Sequence, residues 1–433
     1  MKQNISFFIL FAVLIMIITA CSKEEDSQLP SILINQPFEN QYFSCQDSIP
    51  LDIEVSDDHN LTSVSIVLIN DSFVPVMNAM SVQLSQNSIH IQDDYIVDNN
   101  HLESGNYYLQ VKASDGVNEA TLYREVNIEG LEKALKSIIV VTEENVNSAP
   151  VYQIDTSGHR SLLFTFNGND AVSAINSYHQ QMVIAGKTEG GVKVFDFNQN
   201  DFEWSLPPYT SSSFHSFEAV NCVENEYIVS FTNGNIRKYS HLGSVISGYN
   251  PPVSQAAFES GKNGNFLLVD TKLPQHENHD IYVFHYQTGG FLQSQTMPYS
   301  VVAFFPKENN ISWMWGNDLN DQAILKTYST SSNLFSSVRT LPTGKLNAVV
   351  DAGAQNYLVS IENTIYWYQA NINSLTPFMQ NISATDMAFD FMNQVVYCAE
   401  GNLVKLYRYP LAQSLGTITL PHTITNVILL YNK

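Results

Sequence analysis

Ile424-Thr-Asn-Val-Ile-Leu-Leu-Tyr431 reads as a β-strand with no strand after it to pair with. Its complement stands far upstream. Ile138-Ile-Val-Val-Thr142 is a strand lacking one before it, and Val151–Asp155 and Ser161–Phe166 follow it. Between these ends runs a repeat. Small or apolar strands beginning at Val172, Phe217, Ala256, Val301, Asn347, Thr385 and Thr425 recur at intervals of 45, 39, 45, 46, 38 and 40 residues. Ten residues after the first six of these come Met182, Tyr227, Phe266, Ile311, Tyr357 and Val395, each opening a second strand. A Gly/Asn/Asp turn then leads to a third strand rich in Tyr, Val and Phe: VKVFDF, IRKYSH, DIYVFHY, AILKTYS, IYWYQA and VKLYRY. A fourth strand closes each repeat.

That period is the length of one four-stranded blade of a β-propeller. Two partial blades at opposite ends of residues 137–433 sum to a whole one. The ring is therefore expected to close by pairing the last strand with the first three, which removes exposed sheet edges. Six full repeats and the composite predict seven blades in an all-β fold. The G-H and W-D signatures of WD40 repeats are missing. By period and order the region resembles the degenerate propellers of the quinoprotein and YncE-like type.

Upstream, residues 31–130 hold strand-like runs at Ser31–Asn35, Leu51–Val55, Ser63–Ile69, Val82–Leu84, Ser88–Gln92, Tyr107–Ala113 and Thr121–Ile128. Turn signals separate them, among them Asp57-Asp-His-Asn60 and Asp115-Gly116. About seven short strands in about 100 residues predict a β-sandwich. Pro30-Ser-Ile-Leu-Ile-Asn-Gln-Pro37, Asp52-Ile-Glu-Val-Ser-Asp57 and Ser104-Gly-Asn-Tyr-Tyr-Leu-Gln-Val-Lys-Ala-Ser-Asp-Gly116 resemble bacterial Ig-like modules. The resemblance implies a spacer. Asp57, Asp58 and Asp115 raise calcium, but the spacing of a calcium loop is absent, and turn acids bonding their own backbone are the expected reading. Residues 131–136 are read as a linker.

The N-terminus supplies an address. Lys2, the apolar run Phe7–Ile18 and Ile18-Thr-Ala-Cys21 have the layout of a secretory signal, too short to span a bilayer at about 20 residues. With a cysteine directly after small residues, residues 1–20 resemble a bacterial lipoprotein signal, which implies lipidation of Cys21. The alternative is an ordinary cleaved signal. Residues 21–30 form a polar tether, Cys21-Ser-Lys-Glu-Glu-Asp-Ser-Gln28. Its Lys followed by acids resembles the export tag of surface lipoproteins of the Bacteroidetes, implying display on the outer-membrane surface. The periplasmic face is the alternative.

Composition limits the partners. Twenty Lys and Arg against 42 Asp and Glu give a net charge of −22, which repels nucleic acid and anionic lipid. Membrane contact is thus expected through the lipid alone. Cys45, Cys222 and Cys398 remain, an odd number without C-x-x-C, and three unbridged thiols are expected.

Motifs for nucleophilic, phosphate-binding or zinc-hydrolytic chemistry are absent from the sequence, and no cofactor is indicated. His276 and His279, in the turn Lys272–Asp280, have a spacing that can place two imidazoles on one divalent metal; a solvated loop is the alternative. Antiparallel order puts second-to-third turns and fourth-to-first connections on one face. Asp318 and Asp321 fall there, with Tyr209, Phe214, Tyr249 and Tyr299 just before successive first strands in PPYTSSSF, SGYNPP and MPYSVV. Such a group can stack on sugar rings or planar chelates; the alternative is filler between blades. Trp313, Trp315, Tyr366 and Trp367 read as blade packing.

The chain thus reads as a lipid-anchored binding protein that captures a small molecule, glycan, metal chelate or protein partner on the propeller face. The lipoprotein resemblance implies association with a TonB-dependent importer. Two alternatives stand beside it: an interaction scaffold for envelope proteins, and a propeller enzyme of the lyase, hydrolase or dehydrogenase kind. The mostly apolar first strands, with acids and few bases, give catalysis less support.

Overall fold

The computed structural model describes residues 27–187, 190–207, 217–253, 255–273 and 275–433. Cys21 and the rest of the signal lie outside them, as do Tyr209 and Phe214. The chain divides into two compact units between Glu132 and Lys133. Every regular element among the described residues is a strand.

The first unit contains six strands rather than the seven expected. Leu51–Val55 and Ser63–Ile69 belong to one strand, Ser48–Ile69, and Val82–Leu84 and Ser88–Gln92 to another, Met80–Ile96. Gln41–Ser44, unpredicted, pairs in parallel with Glu119–Glu129. The turn residues Asp57–Asn60 do not end their strand. They form an unpaired excursion between the partners Ser56↔Ser88 and Leu61↔Gln86, so the strand bends and continues. Its first half pairs with Ser31–Gln36 and its second with Gly105–Ser114. Both halves feed one core, with Ile53, Val55, Leu61 and Val64 beside Leu109 and Val111.

The second unit is a β-propeller. Its described residues form seven four-stranded antiparallel sheets, each running in chain order from first to fourth strand, except one. That sheet takes Thr423–Tyr431 as its first strand and Leu135–Glu143, Ala149–Asp155 and Arg160–Phe166 as the others. The expected composite is therefore present, with Val427 opposite Val140. First strands touch their neighbours in series, from Val172–Asn176 through Asp386–Asp390 to Thr423–Tyr431, which touches Val172–Asn176 again. Starts of first strands agree with the sequence to within two residues; Thr385, for example, gives way to Asp386–Asp390.

Local chemistry explains the strands. Second strands such as Gln181–Ala185 are buried throughout, because each lies between neighbours in its own sheet and beneath an adjacent sheet. Fourth strands such as Gln413–Thr419 are mostly exposed. The turn into the second strand demands a left-handed residue: Gln180, Asn310 and Gln394 have φ of 54°, 64° and 54°. Asn tolerates this region better than most residues, which suits Asn225 and Asn310 to this position, while Gln fills it at Gln180, Gln355 and Gln394.

Cores form between sheets. Ala348, Leu358 and Ile365 of one sheet pack on Met387, Phe389 and Val396 of the next. Trp313 and Trp315 are buried likewise, as expected, beside Tyr357 and Tyr368. Tyr366 and Trp367 are half-buried against the same inter-sheet cores. Cys45 and Cys398 are buried and Cys222 half-buried, all unbridged.

Candidate functional site

One face of the propeller carries the starts of first strands and the ends of second strands. Several first strands bulge there, at Val301/Ala303, Leu346/Ala348 and Ile424/Asn426. A bulge frees backbone groups from the ladder, and the preceding sheet supplies their partners. Asp270 Oδ2 accepts the Val301 N–H at 2.8 Å. Asn317 Oδ1 accepts the Leu346 N–H at 2.8 Å, and its Nδ2 donates to the Leu346 carbonyl at 3.0 Å. Asp386 Oδ2 accepts the Val427 N–H at 2.6 Å.

Near the composite sheet these clips become a polar chain. Asn426 Nδ2 donates to Asp386 Oδ2 at 2.8 Å, while Ser173 Oγ donates to Asn426 Oδ1 at 2.6 Å. Three successive first strands are thereby joined. Burial pushes the Asp386 carboxyl up to about 6, against the opposing pull of the Val427 N–H and the Asn426 amide. Beside Asn426, on this face, a cleft of about 210 Å³ opens between the composite sheet and the next. Thr142, Glu143, Asp170, Lys187 and Thr425 line it together with Ala149, Ala171 and Val172, so its walls mix polar and apolar surface and carry both signs of charge.

A second acid sits on the first strand Ala256–Asn263. Burial pushes Glu259 up to about 8, with the Asn221 amide pulling the other way. Asn221 Nδ2 donates to Glu259 Oε1 at 3.3 Å and to Ser260 Oγ at 2.9 Å, again across two sheets. These acids can hold a proton near neutrality. Their partners are amides and backbone N–H groups, which suit hydrogen-bonded recognition and inter-sheet bracing.

Several sequence candidates take other roles. Tyr249 ends the strand Val245–Tyr249, is wholly buried, and donates its hydroxyl to the Tyr286 carbonyl at 2.6 Å. Tyr299 is 6% exposed and meets the Phe335 ring edge-on at 5.5 Å. Neither presents a ring to solvent, so the aromatic platform expected of them is corrected to packing between strands and sheets. At these two positions a large ring fills space beside Tyr286 and Phe335.

The histidine pair is also separated. His276 is exposed, whereas His279 is buried with Nδ1 2.8 Å from Asp270 Oδ1. The expected metal pair is thus corrected: His279 faces the protein interior and braces the acid that clips Val301. Asp318 Oδ1 accepts the N–H groups of Asn320 and Gln322 at 2.8 and 3.0 Å, a turn role. Asp321, exposed, lies 3.0 Å from Lys345 Nζ. Sequence reading missed Glu143, Asp170, Lys187, Glu259, Asp386 and Asn426. The last three had a signal, a polar residue inside the apolar segments AAFES, TDMAFDF and ITNVILL.

No protein-family description matches the chain, and no curated protein matches it in sequence. Among solved structures it is similar to the computationally designed Ika8 protein, with 15% identity, TM-score 0.45, and 69% of this chain and 91% of that chain covered. A chain of the Mitotic Checkpoint Complex matches at 10% identity and TM-score 0.48, covering 59% and 81%. The WD40 β-propeller domain of Doa1 matches at 10% and 0.47, covering 61% and 85%. The propeller assignment rests on the sheet order and on the returning series of first strands.

Proposed function

We propose that this chain is a lipid-anchored binding protein of the bacterial cell envelope, whose seven-bladed propeller engages its partner at the face carrying the Glu143–Asp170–Lys187 cleft. A propeller fold suits an interaction or scaffold role, and the cleft is the observation that carries the choice of face. Cys21 is the anchor and the first unit an Ig-like module between anchor and propeller in sequence. The polar tether behind Cys21 favours the outer-membrane surface. A TonB-dependent importer is the partner class that the lipoprotein resemblance brings, and its cargo would be an uncharged or cationic solute, given the net charge of −22.

Two measurements test the reading. A palmitate analogue fed to cells should label the wild type and not Cys21→Ala, and label retained in the variant contradicts the anchor. Protease added to intact cells should then shave the wild-type protein; full protection moves it to the periplasmic face.

A further inference from the structure

The cleft beside Thr425 owes its space to small residues at positions that another seam fills with large ones. The bulge in the first strand Thr423–Tyr431 leaves Thr425 outside the ladder, between the partners Ile424↔Thr142 and Asn426↔Val141. The first strand Ala256–Asn263 bulges at the equivalent place and leaves out Phe258, between Ala257↔Thr271 and Glu259↔Asp270. A shared hydrogen bond confirms the register. Thr142 Oγ1 donates to the Pro150 carbonyl at 2.9 Å, and Thr271 Oγ1 to the Asp280 carbonyl at 3.0 Å. Thr425 therefore takes the place of Phe258, Val141 that of Asp270, and Ala149 that of His279, each of the last two opening a third strand. Where these residues are large they meet. The Phe258 ring lies 5.7 Å from that of His279, whose Nδ1 is 2.8 Å from Asp270 Oδ1. Where they are Thr425, Val141 and Ala149, a cleft of about 210 Å³ is left. Small residues at three equivalent positions make this cleft a built feature of the ring.

Its charges are unspent. Glu143, Asp170 and Lys187 line the cleft, and among the described residues none of the three has a side-chain hydrogen bond or an ion pair. The Lys187 backbone N–H donates to the Asn169 carbonyl at 2.9 Å, which ties it beside Asp170 at the edge of one sheet. Glu143 ends a strand of the other sheet. Solvent serves all three groups, and each can exchange water for a charge-assisted hydrogen bond to a ligand.

Two carboxylates and one ammonium are complemented by two amines and one carboxylate. Ala149, Ala171 and Val172 supply apolar wall for the methylenes that join such groups. The volume lies below the roughly 300–1,000 Å³ of pockets for drug-sized ligands, which limits the occupant to one small solute. A net charge of −22 draws cations at long range. We propose that this cleft binds a diamino carboxylic acid of the lysine class, with its carboxylate on Lys187 and its amines on Glu143 and Asp170. The assignment rests on the cleft face being the binding face, as read above.

The test is calorimetric titration of L-lysine into the full-length protein at low ionic strength, with thermal melts of each variant alongside. The wild type should bind one L-lysine. It should bind L-leucine, which lacks the second amine, and cadaverine, which lacks the carboxylate, at least tenfold more weakly. Lys187→Ala and Asp170→Asn should weaken L-lysine binding at least tenfold and melt as the wild type does, since neither loses a partner in the free protein. Thr425→Phe restores the large residue of the other seam and should abolish binding while Tm holds or rises. Wild-type protein that ignores L-lysine, equal affinity for the three probes, or affinity unchanged in Lys187→Ala overturns the proposal. A photo-crosslinker at Thr425 in intact cells tells the two readings apart. Adducts from a protein that ignores L-lysine overturn the ligand class alone; absence of adducts as well removes the binding face.

Discussion

The Val427 backbone N–H donates to Asp386 Oδ2 at 2.6 Å, joining the first strand of the composite sheet to the first strand of the sheet before it. The contact falls just past the bulge at Ile424/Asn426, where the ladder to Val141 is interrupted. A side-chain acceptor thus completes what the strand pairing leaves open, at the seam where the two ends of the propeller meet.

Removing that acceptor should cost stability. Asp386→Ala leaves the Val427 N–H and the Asn426 amide without their partner, about 2 kcal/mol for groups of this burial. Asp386→Asn keeps an acceptor oxygen and should cost less than half as much. Deleting residues 424–433 goes further, exposing the edge of Leu135–Glu143, and cooperative unfolding should be lost or Tm should drop sharply. Denaturant melts read all three.

Stability should fall as pH rises from about 4.5 to about 8. Glu259 goes from an ordinary 4.5 to about 8, and Asp386 from 3.8 to about 6. An acid whose pKa is raised on folding is fully stabilising below its unfolded pKa, and that contribution is lost as pH climbs through the folded value. Water reaches the half-buried Glu259, so its share is on the order of 2 kcal/mol rather than the full shift. Glu259→Gln should flatten the decline and raise Tm at pH 8. A wild-type Tm that climbs across this window counts against the burial of both acids.

His279 tests the buried pair. His279→Ala strands the fully buried Asp270 beside the Val301 N–H and should cost about 3 kcal/mol. Substituting exposed His276 by Ala should leave the urea midpoint unchanged. Equal effects from both would restore the paired reading of these histidines.

The propeller was legible because its signal is long-range and redundant. A period near 40 residues survives the loss of any single diagnostic residue, and the unmatched strands at Ile138 and Ile424 announced the composite sheet. The first unit was less so. Asp57-Asp-His-Asn60 has the composition of a turn, yet the hydrophobic alternation resumes beyond it and the chain bulges without reversing. The site was least legible. Tyr249 and Tyr299 stand where an open loop and an inter-sheet wedge look the same in sequence, and only neighbours such as Tyr286 and Phe335 decide. Glu143, Asp170 and Lys187 lie at or beside the ends of strands in two consecutive sheets and meet only when those sheets pack, so no local pattern could join them.

Face-resolved photo-crosslinking in intact cells measures directly whether the cleft face is the one that engages a partner. A benzophenone amino acid is placed singly at Asp170 or Thr425, exposed beside the cleft, and at Tyr178, 42% exposed in a turn on the opposite face. Mass-shifted adducts should form from Asp170 and Thr425, disappear when Lys187→Glu is added, and be absent from Tyr178. Adducts from Tyr178 alone, or of equal yield from both faces and indifferent to Lys187→Glu, would contradict the assignment.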